Sequence, residues 1–261
     1  MQLPDILRRR ALSILLIVTV VLAGFAARGF WTTRAARPFL PDATRSAITG
    51  LSSPSAIDRA YAVKALRVLR DRAAVPALLG QLADPDQAVG LYVAQALAEM
   101  AGPNDLASLR SALRNSNPDV RWRAALALGQ AHDAKAVSEL ALLLRDPNVL
   151  VQRSAADALA TIGNSAAAQA LTGALGTPQA SVNQVTMAAL EKIGEPAVPA
   201  LTLALDSSSN ALSRQNAATV LGFIGSPKAG AAVQLAVVDA NPDVRSKAQW
   251  ALAEINRGNA N

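Results

Sequence analysis

The chain has 261 residues, a formal net charge of +6, 51% apolar residues and only 3% aromatics. That apolar content excludes a disordered polymer, and the scarcity of aromatics means that any core is built from Ala, Leu, Val and Ile. The absence of cysteine and a single histidine, His132, exclude disulfides, thiol catalysis, cysteine-ligated metals and most histidine metal sites.

Residues 1–10 form a short basic tail carrying Arg8, Arg9 and Arg10. Between Arg10 and Arg28 runs ALSILLIVTVVLAGFAA, 17 residues without a charge. As a helix it is roughly 25 Å long, against a hydrocarbon core of about 30 Å. Extension to Trp31 supplies the remainder, with Arg28 snorkelling and Phe30 and Trp31 at the interface. Residues 11–31 therefore read as a transmembrane anchor or uncleaved signal in the lipid bilayer. The second reading is a secretory signal cleaved near Gly24-Phe25-Ala26. Arg8 to Arg10, packed directly against the apolar run, keep the N-terminus inside and place the rest of the chain outside the cytoplasm, in the periplasm or on the outer side. Residues 32–41, with Pro38 and Pro41, read as a tether.

Residues 1–40 hold six arginines against one acid, Asp5, a net of +5, whereas the rest of the chain has 19 bases and 18 acids. The basicity belongs to the membrane flanks, and no concentrated basic stripe is left to track the phosphates of a nucleic acid.

From Asp42 the chain repeats. A leucine recurs every 31 residues at Leu66, Leu97, Leu128, Leu159, Leu190, Leu221 and Leu252. Before each of these stands Ala65, Ala96, Ala127, Ala158, Ala189, Val220 or Ala251. Eight before the marker are Val89, Val120, Val151, Val182 and Val244, with Asp58 and Ser213 in the first and sixth units. Second-helix leucines come at Leu82, Leu113, Leu144 and Leu175, slipping by one to Leu205 in the fifth unit. Such a period is a stack of helical hairpins, each burying its stripe against the next. Asp42 to Leu51 reads as an N-terminal half unit. Hairpins begin at Ser53, Asp84, Asn117, Asp146, Thr177 and Asp206, with internal turns near Asp71, Pro103, His132, Gly163, Glu195 and Ser226. A C-terminal half unit starts at Asn241, the repeat domain spans 42–257, and 258–261 is a tail. In the fourth unit, Asp146 and Pro147 read as the helix start.

Units reading DPNVLVQRSAADALATIG and NPDVRWRAALALG, each followed by an apolar second helix, resemble HEAT-like repeats of the phycobilisome-lyase type. The resemblance covers Asp42 to Arg257 and implies an all-α, right-handed α-solenoid of the HEAT or ARM superhelix kind. It implies second helices lining a concave face, and for function either a protein-binding scaffold or a lyase-type enzyme or accessory acting on a tetrapyrrole or protein-bound substrate. The related deoxyhypusine hydroxylases imply a di-iron site of His-Glu pairs, and this sequence, with one histidine, has no such pair. No cofactor and no metal are expected.

Arg59, Arg121, Arg214 and Arg245 share one position, seven before the marker and about 20° from it on a helical wheel. Arginine so near a buried arc needs partners, so the four read as a structural ladder bonding Asp or carbonyl groups between units, for instance around Asp84 and Asp119. Arg123, Arg153 and Lys247 fall further round and read as solvated. Trp122 and Trp250 lie toward the exposed side and are the candidate partner-binding aromatics, with Tyr61 and Tyr92 alongside; His132 is a polar turn residue. No phosphate loop, paired-carboxylate site or nucleophile elbow is present. The second helices 74–83, 166–176 and 197–205 carry no charge at all, so the surface they form suits a helix or extended segment of a partner protein. The sequence reads as a membrane-tethered, non-enzymatic scaffold.

Overall fold

The computed structural model describes residues 40–258. The basic tail, the anchor at 11–31 and the tether up to residue 39 lie outside the described residues, as do 259–261. Among the described residues there are fourteen α-helices and no strand, and no helix is long and apolar enough to cross a membrane.

First helices are set by their caps. Helices α1 (Leu40–Gly50), α2 (Ala56–Leu69), α3 (Val75–Gly80) and α4 (Gln87–Met100), with nearly all of α5 (Pro103–Ala112), make one unit. The Ser55 hydroxyl takes the Asp58 amide at the start of α2, and the Asp86 carboxylate takes the Val89 amide at the start of α4. Each bond satisfies an otherwise orphaned N–H of the first turn. Leu66 on α2 and Leu97 on α4 are fully buried.

The second unit holds α6 (Pro118–Gln130), α7 (Val137–Leu143), α8 (Val149–Ile162), α9 (Ser165–Thr172), α10 (Ala180–Ile193), α11 (Val198–Ser207), α12 (Ala211–Ile224), α13 (Gly230–Ala236) and α14 (Pro242–Gly258). Asn117, Asn148 and Asn210 cap α6, α8 and α12 through their side-chain oxygens. The start of α8 corrects the sequence reading: Asn148, not Asp146, is its cap, because Asp146 is buried and committed to the preceding repeat. Gly163 ends α8 at φ 64°, a left-handed conformation that costs glycine nothing.

Six marker leucines, from Leu66 to Leu221, are fully buried, and Leu252 is half-buried. The small residues beside them permit close packing. A Cβ at Gly129 on α6 would stand 2.6 Å from the Ala158 Cα on α8, and one at Gly222 on α12 would stand 3.0 Å from the Ala251 Cα on α14. Both glycines come just after a marker leucine and both alanines just before one, so the same contact is used twice in this unit.

Candidate functional site

The four shared-position arginines are placed between successive turns. Arg121 donates through Nε and Nη2 to both carboxylate oxygens of Asp146, at 2.8 and 2.9 Å, and through Nη1 to the carbonyls of Asn115 and Ser116. Arg59 binds Asp84 and the Ser53 and Pro54 carbonyls in the same way, and Arg214 binds Asp239 and the Ser208 carbonyl. Arg245 donates to the carbonyls of Asp239 and Ala240. Bidentate guanidinium–carboxylate pairing is the strong, geometrically specific form of the interaction. The bond to Arg214 holds the Asp239 carboxyl below the usual carboxylate range, helped by the Asn241 amide, against the opposing effect of desolvation. The same bond raises the Arg214 guanidinium, and Asp84 does so for Arg59.

Two expectations need correction. Asp119 accepts no arginine in this set; its Oδ1 takes the Trp122 indole N–H at 3.0 Å. Arg123 is not solvated but fully buried, with its guanidinium carbon 5.2 Å from the Trp122 ring centroid. The wheel failed there because the long side chain reaches under its neighbour from a flanking position. Arg153 is exposed and Lys247 half-buried. Trp122 and Trp250 are half-buried and far apart in sequence. Trp250 meets the exposed Phe223 edge-to-face, 5.1 Å between centroids. Tyr61 is exposed and Tyr92 half-buried, with the Lys64 ammonium 4.4 Å from the Tyr92 centroid. His132 is exposed in its turn at φ 51°.

The arginine rung is not repeated in every hairpin. At the shared position stand Arg59, Gly90, Arg121, Gln152, Asn183, Arg214 and Arg245, and 25 residues after the first six stand Asp84, Asn115, Asp146, Thr177, Ser208 and Asp239. Wherever arginine has a residue 25 later, that residue is aspartate; where it is absent, so is the acid. Two of the three neutral replacements keep the bond to the carbonyl six residues before: Gln152 donates to the Asp146 carbonyl and Asn183 to the Thr177 carbonyl, both at 2.7 Å.

Beside the neutral rungs the second unit has a pocket of about 510 Å³. Its wall includes Gly173 and Gly176, the turn Thr177–Gln179, the residues Ser208, Asn210 and Ser213, and Arg145. None of these stands out as a site in the sequence, although Ser213 in a valine position is a visible departure from the frame. Among the described residues no group of three or more His, Cys, Asp or Glu side chains is placed to hold a metal ion.

Three of the four second helices of this unit, all but α9, expose a leucine. Leu142 on α7, Leu203 on α11 and Leu235 on α13 are 69%, 63% and 70% exposed. No lysine or arginine stands in α7, α9, α11 or α13, and Glu139 and Asp206 are their only charges.

The profile of HEAT repeats matches residues 44–117, 106–191 and 178–253. No curated protein matches the chain. Among solved structures, Kap121p is similar at 16% identity and a TM-score of 0.62, over 98% of this chain and 34% of that one. The CpcE–CpcF complex of phycocyanin lyase from a Nostoc species is similar at 23% identity and a TM-score of 0.44, over 81% and 94% of the two chains. Human deoxyhypusine hydroxylase in complex with glycerol is similar at 21% and 0.38, over 94% and 98%.

Proposed function

We infer function from one premise: the chain belongs to the HEAT-repeat family. On it we propose a non-enzymatic scaffold that receives an apolar helix or extended segment of a partner protein on the face of its second helices. The observation that carries this reading is the set Leu142, Leu203 and Leu235, each at least 63% exposed on helices that hold no lysine or arginine. Exposed apolar side chains that recur on stacked helices of one face mark a surface that another molecule covers. In the geometry the repeats of this family imply, that face is the concave one, and a preformed surface loses little conformational freedom on binding. The absence of lysine and arginine from these helices weighs against nucleic acid there.

The tether is part of the proposal. The uncharged 17-residue run behind Arg8 to Arg10 supports a single bilayer span at 11–31. On that orientation the repeats work outside the cytoplasm, with release by signal cleavage as the second outcome.

The test is affinity capture with the full chain from membrane and periplasmic extracts. Wild type captures a defined protein, and the variant carrying Leu142→Ser, Leu203→Ser and Leu235→Ser loses it by more than tenfold with an unchanged melting curve. Capture indifferent to the triple substitution, or tetrapyrrole turnover by the purified chain, overturns the reading.

A further inference from the structure

We propose that the pocket beside the neutral rungs takes an acidic side chain carried on an extended peptide, so that the partner is held by a carboxylate as well as by apolar contacts. This rests on the scaffold reading above, because Gly173 belongs to both surfaces. It is exposed at the end of α9, whose neighbours in sequence along the second helices are the leucine-bearing α7 and α11, and it also lines the pocket.

Four observations converge on the carboxylate. Arg145, three residues after Leu142, is the one charged side chain lining the pocket, and its guanidinium makes no hydrogen bond or ion pair among the described residues. Ser213 lines the pocket at 8% exposure; its hydroxyl has no hydrogen-bond partner among the described residues, although its amide is used by Asn210. Five other repeats carry valine at that position, so the hydroxyl at the pocket wall replaces what packing alone requires and stands as a donor and acceptor open to a ligand. The 14-residue helix α10 begins at the pocket wall behind Gln179, which makes no side-chain cap bond, unlike Ser55, Asp86, Asn117, Asn148 and Asn210 at the starts of α2, α4, α6, α8 and α12. Its first-turn amides are free donors at the positive end of the helix dipole. Finally, the rungs that elsewhere neutralise arginine with aspartate are uncharged here, which leaves Arg145 without a competing acid in the pocket wall.

Charge and size choose the ligand. One guanidinium matches a monoanionic carboxylate in bidentate geometry, whereas a phosphate dianion calls for a second cation. A volume of about 510 Å³ exceeds a bare carboxylate and leaves room for the side chain that carries it.

The probes are N-acetyl-Leu-Ala-Leu-Glu amide, the same peptide with Gln for Glu, sodium acetate and inorganic phosphate, each titrated calorimetrically into the full chain. The Glu peptide binds at least tenfold more tightly than the Gln peptide. Arg145→Ala abolishes that ratio without unfolding the chain, since the side chain is exposed. Ser213→Val, which restores the common residue, weakens the Glu peptide severalfold. Gly173→Leu blocks it, because a Cβ there meets only carbonyls of its own helix at 3.5 and 3.6 Å and the side chain grows into the pocket. Equal binding of the two peptides, a Glu preference that survives Arg145→Ala, acetate binding as tightly as the Glu peptide, or tighter phosphate binding each overturns the proposal. Partner capture that is lost with the three leucine substitutions yet indifferent to Arg145→Ala sinks the pocket while leaving the scaffold reading in place.

Discussion

Removing the Asp146 carboxylate tests whether the arginine rung couples repeats or merely decorates them. Asp146 and Arg121 have side chains only 5% and 13% exposed, and the carboxylate also accepts the Asn148 amide at 2.8 Å. Asp146→Ala therefore strands a guanidinium with two carbonyl bonds and no counter-charge, and also leaves an amide of the turn unanswered. Breaking a fully buried pair from one side costs about 3–5 kcal/mol, and the residual exposure puts this case at about 3 kcal/mol. The chain supplies its own control. Arg121→Gln with Asp146→Thr copies the natural Gln152 and Thr177 rung, in which the amide still donates to the carbonyl six residues before. With both charges gone and one neutral bond kept, that double variant loses only about 1 kcal/mol. The assay is urea unfolding of the full chain by far-UV circular dichroism, comparing midpoints, because coupled repeats need not unfold in one step. If the neutral swap is as damaging as Asp146→Ala, the rung is not a replaceable unit and the comparison across repeats is misleading.

Gly129→Ala gains about 1 kcal/mol of helix propensity but puts its Cβ 2.6 Å from a backbone atom of α8, so it lowers stability by about 1–3 kcal/mol overall; a rise in melting temperature would refute the close contact. Because Arg214 holds the folded Asp239 carboxyl below its unfolded value of about 3.9, the stability it contributes is complete above that pH and drains as pH falls toward the lower folded value. Asp239→Asn should accordingly flatten the acid limb of a stability–pH curve below about pH 4, and an unchanged limb counts against the pairing. The fifth repeat, α10 and α11, has neutral rungs on both sides, so its amides should exchange with deuterium before those of α6 and α8; simultaneous exchange would show that the rungs carry no coupling.

Much of this fold was legible in the sequence because the same positions recur. A leucine and a small neighbour every 31 residues can only be reconciled with stacked hairpins, and the six earlier marker leucines are indeed fully buried. The arginine position was legible for the same reason, but its acceptor was not. Asp119 and Asp146 are equally plausible from spacing, and only the side-chain path shows that Arg121 reaches forward to Asp146 while Trp122 occupies Asp119. Arg123 was misjudged because a wheel assigns an angle to Cβ and not to a guanidinium several bonds further out. The pocket was hidden for a different reason. It is assembled from four consecutive hairpins, and Arg145, Gly173 and Ser213 are individually ordinary residues that only their placement brings to one wall.

Loss of a charged rung is not by itself a sign of a site, and the second hairpin of the array shows why. Gly90 and Asn115 also lack the arginine and the acid, yet Val120 keeps the apolar position and Asn117 still caps α6 with its own side chain. That is what isolated drift looks like: one contact is dropped and the frame around it is intact. At Gln152/Thr177 and Asn183/Ser208 the departures do not stay isolated. Two consecutive rungs are neutral, the cap of α10 is missing, valine has become Ser213, and an arginine stands with no acid to meet it. Each change removes a charged partner or adds a polar group to the wall, while the chain keeps neutral bonds there, from Asn210 to the Gly176 carbonyl and from Asn216 to the Leu175 carbonyl. The outside group that answers a guanidinium, a hydroxyl and free amides together is an oxyanion.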